Sequence, residues 1–224
     1  MAGMREIVDG VFEISLGYVQ AHLVVVDDGV VLVDTGLPGR SAEFGKALQE
    51  MRRKVGDVTA ILLTHRHPDH VGGLAELRRR SGARTVAHRL DAPAIEGAPP
   101  PAMTPLQRLL GRVMKPAEAA PVDEVIAVDG AISVPGFSAV HTPGHTAGHV
   151  SYLLDRADGV LFAGDAAAAG RRGVRRTPGV MTEDRGVSDQ SLRRLAALDF
   201  EVAVFGHGRA VTGGAVEQFR RLAN

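Results

Sequence analysis

The chain has 224 residues, no cysteine, and 26 basic against 26 acidic side chains, so its formal net charge is zero. That balance removes the electrostatic case for a nucleic-acid or acidic-membrane partner, and the missing cysteines exclude a disulfide framework, a thiolate ligand and a cysteine nucleophile. With 45% hydrophobic but only 4% aromatic residues the core must be aliphatic, and the length suits one sizeable core, read as a single domain over 1–224.

In chain order, Val8–Ile14, Ala21–Val26 and Val30–Val33 are expected strands, the last two joined by the hairpin signal Asp27-Asp28-Gly29. Residues 41–53 place Phe44, Ala47, Leu48 and Met51 on one face of a helix opened by Ser41. Thr59–Leu63 predicts a strand, Val71–Arg80 a helix with Val71, Leu74 and Leu77 inward, and Thr85–Ala87 a short strand. Further strands are expected near 124–128, 138–141, 149–154 and 159–163, then a helix at 188–198, a strand at Val202–Phe205 and a helix over 214–222. Grouped strands with helices between them suggest two sheets with helices packed outside. The N-terminus has no charged segment leading into an apolar run of about 7–15 residues, and no apolar stretch approaches roughly 18. A soluble, cytoplasmic protein with no membrane partner is the expectation, monomer or homodimer.

Residues 64–70 read Thr-His-Arg-His-Pro-Asp-His and concentrate His65, His67, Asp69 and His70 within six positions. Imidazole and carboxylate suit zinc, iron or manganese. A helix would scatter these four around its circumference, so the segment is read as a loop, with alternation sending His65, His67 and Asp69 one way and His70 coming in from the side. Polar residues also recur just beyond other strands: Asp34 after Val30–Val33, Asp165 after Leu161–Ala163, and His207 after Val202–Phe205. His145 sits in the turn Thr142-Pro143-Gly144-His145. If those strand ends share one edge, five loops converge on one place, as rigid scaffolds commonly arrange functional groups.

The ordered motifs Asp34-Thr35-Gly36, the histidine-rich loop, Pro-Gly-His145, Gly-Asp165 and Gly-His207-Gly resemble the metallo-β-lactamase fold superfamily across residues 34 to 208. The resemblance implies an α/β (α+β) fold, a four-layer αββα sandwich with the metal site at the sheet edge. It implies two divalent metal ions, zinc foremost and iron or manganese as alternatives. His65, His67 and His145 would hold the first, Asp69, His70 and His207 the second, with Asp165 bridging both and Asp34 supporting the ligand loops. The expected activity is hydrolysis of a small-molecule ester, thioester or lactone by a metal-bridging hydroxide, with Asp69 as the catalytic proton carrier. Asp165 in the bridging position resembles glyoxalase II-like and lactonase-like hydrolases more than true β-lactamases. Thr142–His149 resembles glyoxalase II, although the chain ends soon after His207. Lactonases typically carry a tyrosine after the bridging aspartate, where this chain has Ala166–Gly170 followed by arginines. A mononuclear iron persulfide dioxygenase-like oxidoreductase, using His65, His145 and Asp165, is the alternative; a β-lactamase or a non-catalytic binding module ranks lower.

Three weaker signals remain. Residues 91–123 alternate prolines with the apolar island Leu106, Leu109, Leu110, Val113 and Met114, and read as a cap over a sheet edge or a lid; as a lid, Met103, Leu106, Leu110 and Met114 would line an apolar substrate pocket. Arg171 and Arg172 open a basic run six residues after Asp165, read either as a solvated loop or as a contact for a substrate carboxylate or phosphate. His149 is a candidate hydrogen-bond partner of a ligand loop, whereas His22, His88 and His141 read as ordinary structural or surface histidines.

Overall fold

A computed structural model describes residues 3–100, 109 and 116–224. The N-terminal half forms a seven-stranded sheet in sequence order: β1 Met4–Val8, β2 Val11–Ser15, β3 Gln20–Val26, β4 Gly29–Val33, β5 Val58–Leu62, β6 Arg84–His88 and β7 Glu124–Ile126. β1 to β4 run antiparallel, and β4 to β7 run parallel with helices in their crossovers. The second sheet has the order β14-β11-β10-β9-β8, built from β8 Gly130–Ala131, β9 Phe137–His141, β10 Val150–Leu154, β11 Val160–Phe162 and β14 Val202–Val204.

Strand alternation explains the layering. On β4, Val30 and Leu32 face outward onto helix α1 (Ser41–Glu50) and helix α3 (Leu74–Ser81), where they meet Phe44, Leu48, Leu74 and Leu77. Val31 and Val33 face the other way, into an inter-sheet core with Val150, Tyr152, Leu154, Phe162 and Val204. The far side of the second sheet presents Leu161, Ala203 and Phe205 to helices α5 (Arg185–Ala196) and α6 (Ala215–Ala223), through Leu192, Leu195 and Phe219. The result is the four-layer αββα sandwich. Among the described residues no helix is long and apolar enough to cross a membrane.

Four local expectations change. The strand expected over Val8–Ile14 is two strands broken at Asp9-Gly10, with Gly10 at φ 69°, because a left-handed residue turns the chain. Ser41 does not cap α1; Arg40 occupies that position and the Ser41 hydroxyl instead binds the Glu76 carboxylate on α3. The helix expected over Val71–Arg80 is split at Gly72-Gly73 into α2 (Pro68–Val71) and α3, since Gly72 packs against the Leu37-Pro38 backbone too closely for a side chain. The hairpin β12 (Ala168–Gly170) and β13 (Gly173–Arg175) was not expected, its alanines, glycines and arginines lacking strand preference. A short helix, α4 (Ala92–Ile95), follows β6. Met103, Leu106, Leu110 and Met114 lie outside the described residues, and Leu109 is exposed.

Candidate metal centre

The chain ends of β4, β5, β11 and β14 deliver Asp34, His65, Asp165 and His207 to one edge, and the turn between β9 and β10 delivers His145. His65 and His67 lie in the loop after β5, whereas Asp69 and His70 belong to α2. Residues 64–70 are therefore not the single loop expected from the sequence: Pro68 takes the first helical position, for which its fixed φ is suited, and a helical turn begins there. That turn swings the His70 ring against His65, with centroids 4.0 Å apart.

Three overlapping sets have their ligand atoms within 4.8 Å of one another: His65, His67 and His145; His65, His70 and Asp165; and Asp69, His70 and His207. Asp165 stands at their junction. Its Oδ2 is 3.3 Å from Nε2 of His145 and 3.3 Å from Nε2 of His207, and its Oδ1 is 3.6 Å from Nε2 of His70. Nε2 of His207 is also 3.6 Å from Asp69. Gly206 is required beside this junction, because a Cβ there would lie 2.4 Å from Asp165 Oδ1 and 2.5 Å from the His70 ring.

Surrounding hydrogen bonds dictate which nitrogen of each ring stays open. Asp34 accepts from the Thr64 amide, the Thr64 hydroxyl and His70 Nδ1, all at 2.8 Å. With its proton given to Asp34, Thr64 Oγ1 accepts from His65 Nδ1 at 3.0 Å. His207 Nδ1 donates to the Tyr18 carbonyl at 2.9 Å. The Nε2 atoms of His65, His70 and His207 therefore face the cluster, an outer-shell arrangement typical of ligand imidazoles. His149 works one step further out. Its Nε2 accepts from the Asp165 amide at 2.9 Å, so Nδ1 carries the proton and donates to Thr142 Oγ1, also at 2.9 Å. The Thr142 hydroxyl reaches Ser151, which donates to the Ala163 carbonyl.

Burial, reinforced by neighbouring imidazoles, holds His65 and His67 well below the ordinary histidine range, and burial lowers His145 as well. Burial works against a charged His70, yet the Asp165 and Asp34 carboxylates raise it to about 10. Burial would raise Asp165, but the charges of His70 and His145 and the contact with His207 hold it well below the carboxylate range. The carboxylates thus draw positive charge into the cluster. Among the described residues, its buried atoms His65 Nε2, His70 Nε2 and Asp165 Oδ1 have no hydrogen-bond partner. A divalent cation satisfies both conditions, and nitrogen plus carboxylate donors at this spacing fit zinc-like ions.

Several residues at the site carried no recognisable signal in the sequence. Arg66, between two cluster histidines, is buried with Asp91 and Glu183. The Tyr152 hydroxyl crosses between the sheets to the Leu63 carbonyl at 2.8 Å, just before the histidine loop. Tyr18, on the β2–β3 turn, lies parallel to the His207 ring at 5.7 Å and is 56% exposed. By contrast, Arg171 and Arg172 are exposed at the β12–β13 turn, and Arg172 lines a shallow recess with Gln218, Arg221 and Leu222 on α6. The Val174 amide bonds Gln218, which draws that hairpin toward α6.

Fold and donor set together define a metal-dependent enzyme. The chain belongs to the metallo-beta-lactamase superfamily, whose family model matches residues 14–207, and it is a metal-dependent hydrolase of that superfamily. It is 29% identical over 207 residues to a probable metallo-hydrolase, YflN, of Bacillus subtilis (strain 168), covering 82% of this chain and 76% of that one. It is 32% identical over 169 residues to the hydroxyacylglutathione hydrolase of Methylobacterium nodulans, covering 74% of this chain and 54% of that protein. Against the hydroxyacylglutathione hydrolase of Bradyrhizobium sp. (strain ORS 278) the match is 36% over 123 residues, 55% of this chain and 39% of that one, so the chain spans between 39% and 54% of these two relatives. Among solved structures, Rm3 metallo-beta-lactamase superposes with a TM-score of 0.70 at 26% identity, covering 88% of this chain and 75% of that one. BJP-1, a subclass B3 metallo-beta-lactamase of Bradyrhizobium japonicum, reaches a TM-score of 0.71 at 22% identity over 98% and 90% of the two chains, a likeness of fold.

Proposed function

We propose that this chain holds two divalent cations and uses water to cleave the acyl bond of a small ester, thioester or lactone. The observation that carries the reading is Asp165, whose Oδ2 stands 3.3 Å from one imidazole of each outer ligand set. A carboxylate at that junction suits two ions sharing a ligand, the arrangement for which the chain resembles glyoxalase II-like and lactonase-like hydrolases. On this reading His65, His67 and His145 hold one ion, Asp69, His70 and His207 the other, and Asp165 both. Relatives named hydroxyacylglutathione hydrolase favour a thioester within this class.

When bound, two such cations supply a water activated at neutral pH and polarise the carbonyl that it attacks. The side chains contribute the rest. Asp69 is partly exposed and stands 3.6 Å from His207, at the more open side of the cluster, where it accepts the proton of the attacking water. As the new carbon–oxygen bond forms and the acyl bond breaks, Asp69 passes that proton to the departing alkoxide or thiolate. His207 is partly open, its side chain 27% exposed, and Tyr18 lies beside it. Substrate therefore approaches across the Tyr18–His207 surface, the aromatic ring offering an apolar flank.

Metal analysis with a panel of thioester, lactone, aryl ester, β-lactam and phosphodiester substrates tests this. Turnover confined to the acyl substrates, with two zinc or manganese ions per chain, is the expected result. A single iron with oxygen uptake, or turnover of phosphodiesters alone, overturns it.

A further inference from the structure

Arg66 lies between His65 and His67, and its side chain is only 3% exposed. A buried guanidinium is costly unless its charge is matched and its donors are used. Here Nη1 donates to Asp91 at 2.8 Å and Nη2 donates to Glu183. Asp91 is fully buried and occupies the residue before α4, yet its carboxylate does not cap that helix. It accepts instead from the Arg66 amide at 3.0 Å, the Thr146 hydroxyl at 2.7 Å and the Gly148 amide at 3.1 Å. Gly148 has no room for a side chain, since a Cβ would lie 2.6 Å from that carboxylate. Glu183 accepts from the Ala147 amide at 3.1 Å, and the Asp184 amide next to it donates to the Gly144 carbonyl at 2.9 Å.

These bonds share one direction. They tie the loop carrying His65 and His67 to the turn carrying His145, using a third segment, 183–184, as backing. The set of Asp69, His70 and His207 is braced by other groups: Asp34 on His70 and the Tyr18 carbonyl on His207. Arginine suits the central place because its planar fork reaches two carboxylates at once, which a lysine ammonium does not do in a fixed geometry.

We propose that Asp91, Arg66 and Glu183 form a buried positioning clamp that sets the cation affinity of His65, His67 and His145 selectively. The inference rests on the metal-centre reading above and deepens it. Asp91 touches no reacting atom; it holds the spacing between two ligand-bearing segments that are far apart in the chain.

The test is a cobalt(II) titration of metal-free protein, followed by visible absorption in competition with a chromophoric chelator. Asp91→Asn removes the carboxylate charge, and Thr146→Val removes a single bond to it with little change of shape. Two binding steps are expected in the unmodified protein, and in both variants one step weakens by about 10–100-fold while the other stays within about twofold. In a His207→Ala background the Asp91→Asn loss persists; in a His67→Ala background it disappears. If Asp91→Asn gives no cooperative thermal transition, Thr146→Val carries the comparison. Equal weakening of both steps, or none in a protein that still binds two ions, overturns the clamp. An unmodified protein that binds no cobalt overturns the metal-centre reading instead.

Discussion

His70 Nδ1 lies 2.8 Å from Asp34 Oδ2, and Asp34 is itself held at φ 61°. Few side chains tolerate that left-handed backbone; aspartate and asparagine are among those that do. The same carboxylate binds the Thr64 amide and hydroxyl, and Thr64 Oγ1 in turn contacts His65 Nδ1. One residue thus orients an imidazole of each outer ligand set. Asp34→Asn keeps the backbone and removes the charge, so cation affinity is expected to fall by about 10–100-fold at both sites with little change in unfolding midpoint. Asp34→Ala adds about 1–2 kcal/mol of destabilisation from the left-handed conformation. Chelator competition and urea unfolding read the two effects separately, and unchanged affinity in Asp34→Asn refutes the orienting role.

Asp69 is assigned the proton traffic. Asp69→Ala is expected to lower kcat by about a hundredfold or more, and His67→Ala to lower turnover together with metal content. Both variants should keep the circular dichroism of the parent, since each residue is only partly buried. Full turnover in both would remove the chemistry from this segment.

Tyr18 is the exposed aromatic beside His207, and its carbonyl rather than its hydroxyl holds the imidazole. Tyr18→Ala should therefore leave the ligand geometry intact and raise KM by about 2–10-fold, with kcat nearly unchanged. A loss confined to kcat would mean that the ring does not contact bound substrate.

Burial depresses His22 from 6.5 to about 3, with the nearby His70 adding to the effect. The folded protein keeps this ring neutral while the unfolded chain protonates it below about pH 6.5. The unfolded state then binds more protons, so stability falls with pH between about 6.5 and 3, by about 3 kcal/mol from pH 7 to pH 4 for this group. His22→Leu should flatten that dependence in urea unfolding measured at several pH values. An unaltered pH profile would show that His22 is not the group responsible.

Much of the architecture was legible because period-two alternation and short apolar runs are local. Val30–Val33 sends alternate residues to two different cores, and that needs only the strand pattern. Local punctuation was harder. Gly72-Gly73 reads as tolerable within one helix, yet the Pro38 backbone packed against Gly72 breaks it. The β12–β13 hairpin is held beside α6 through Gln218, a partner 44 residues beyond Val174 that composition does not announce.

The sequence by itself determined the donor set of the candidate centre, because three histidines and an aspartate in six positions are an unusual concentration of donors, and the motifs beyond the other strands add to it. It also determined the layer class, through hydrophobic periodicity. Tertiary structure alone decided how the donors are aimed. Asp91 meets Arg66 across 25 residues and Glu183 meets it across 117, and neither carboxylate looks different from any other acidic residue along the chain. Ring orientation likewise depends on Asp34 and on the carbonyl of Tyr18, 36 and 189 residues away from the imidazoles they hold. Ligand identity is a property of side-chain type, written locally. Ligand orientation is a property of hydrogen-bond partners, which become neighbours only when the two sheets close on each other.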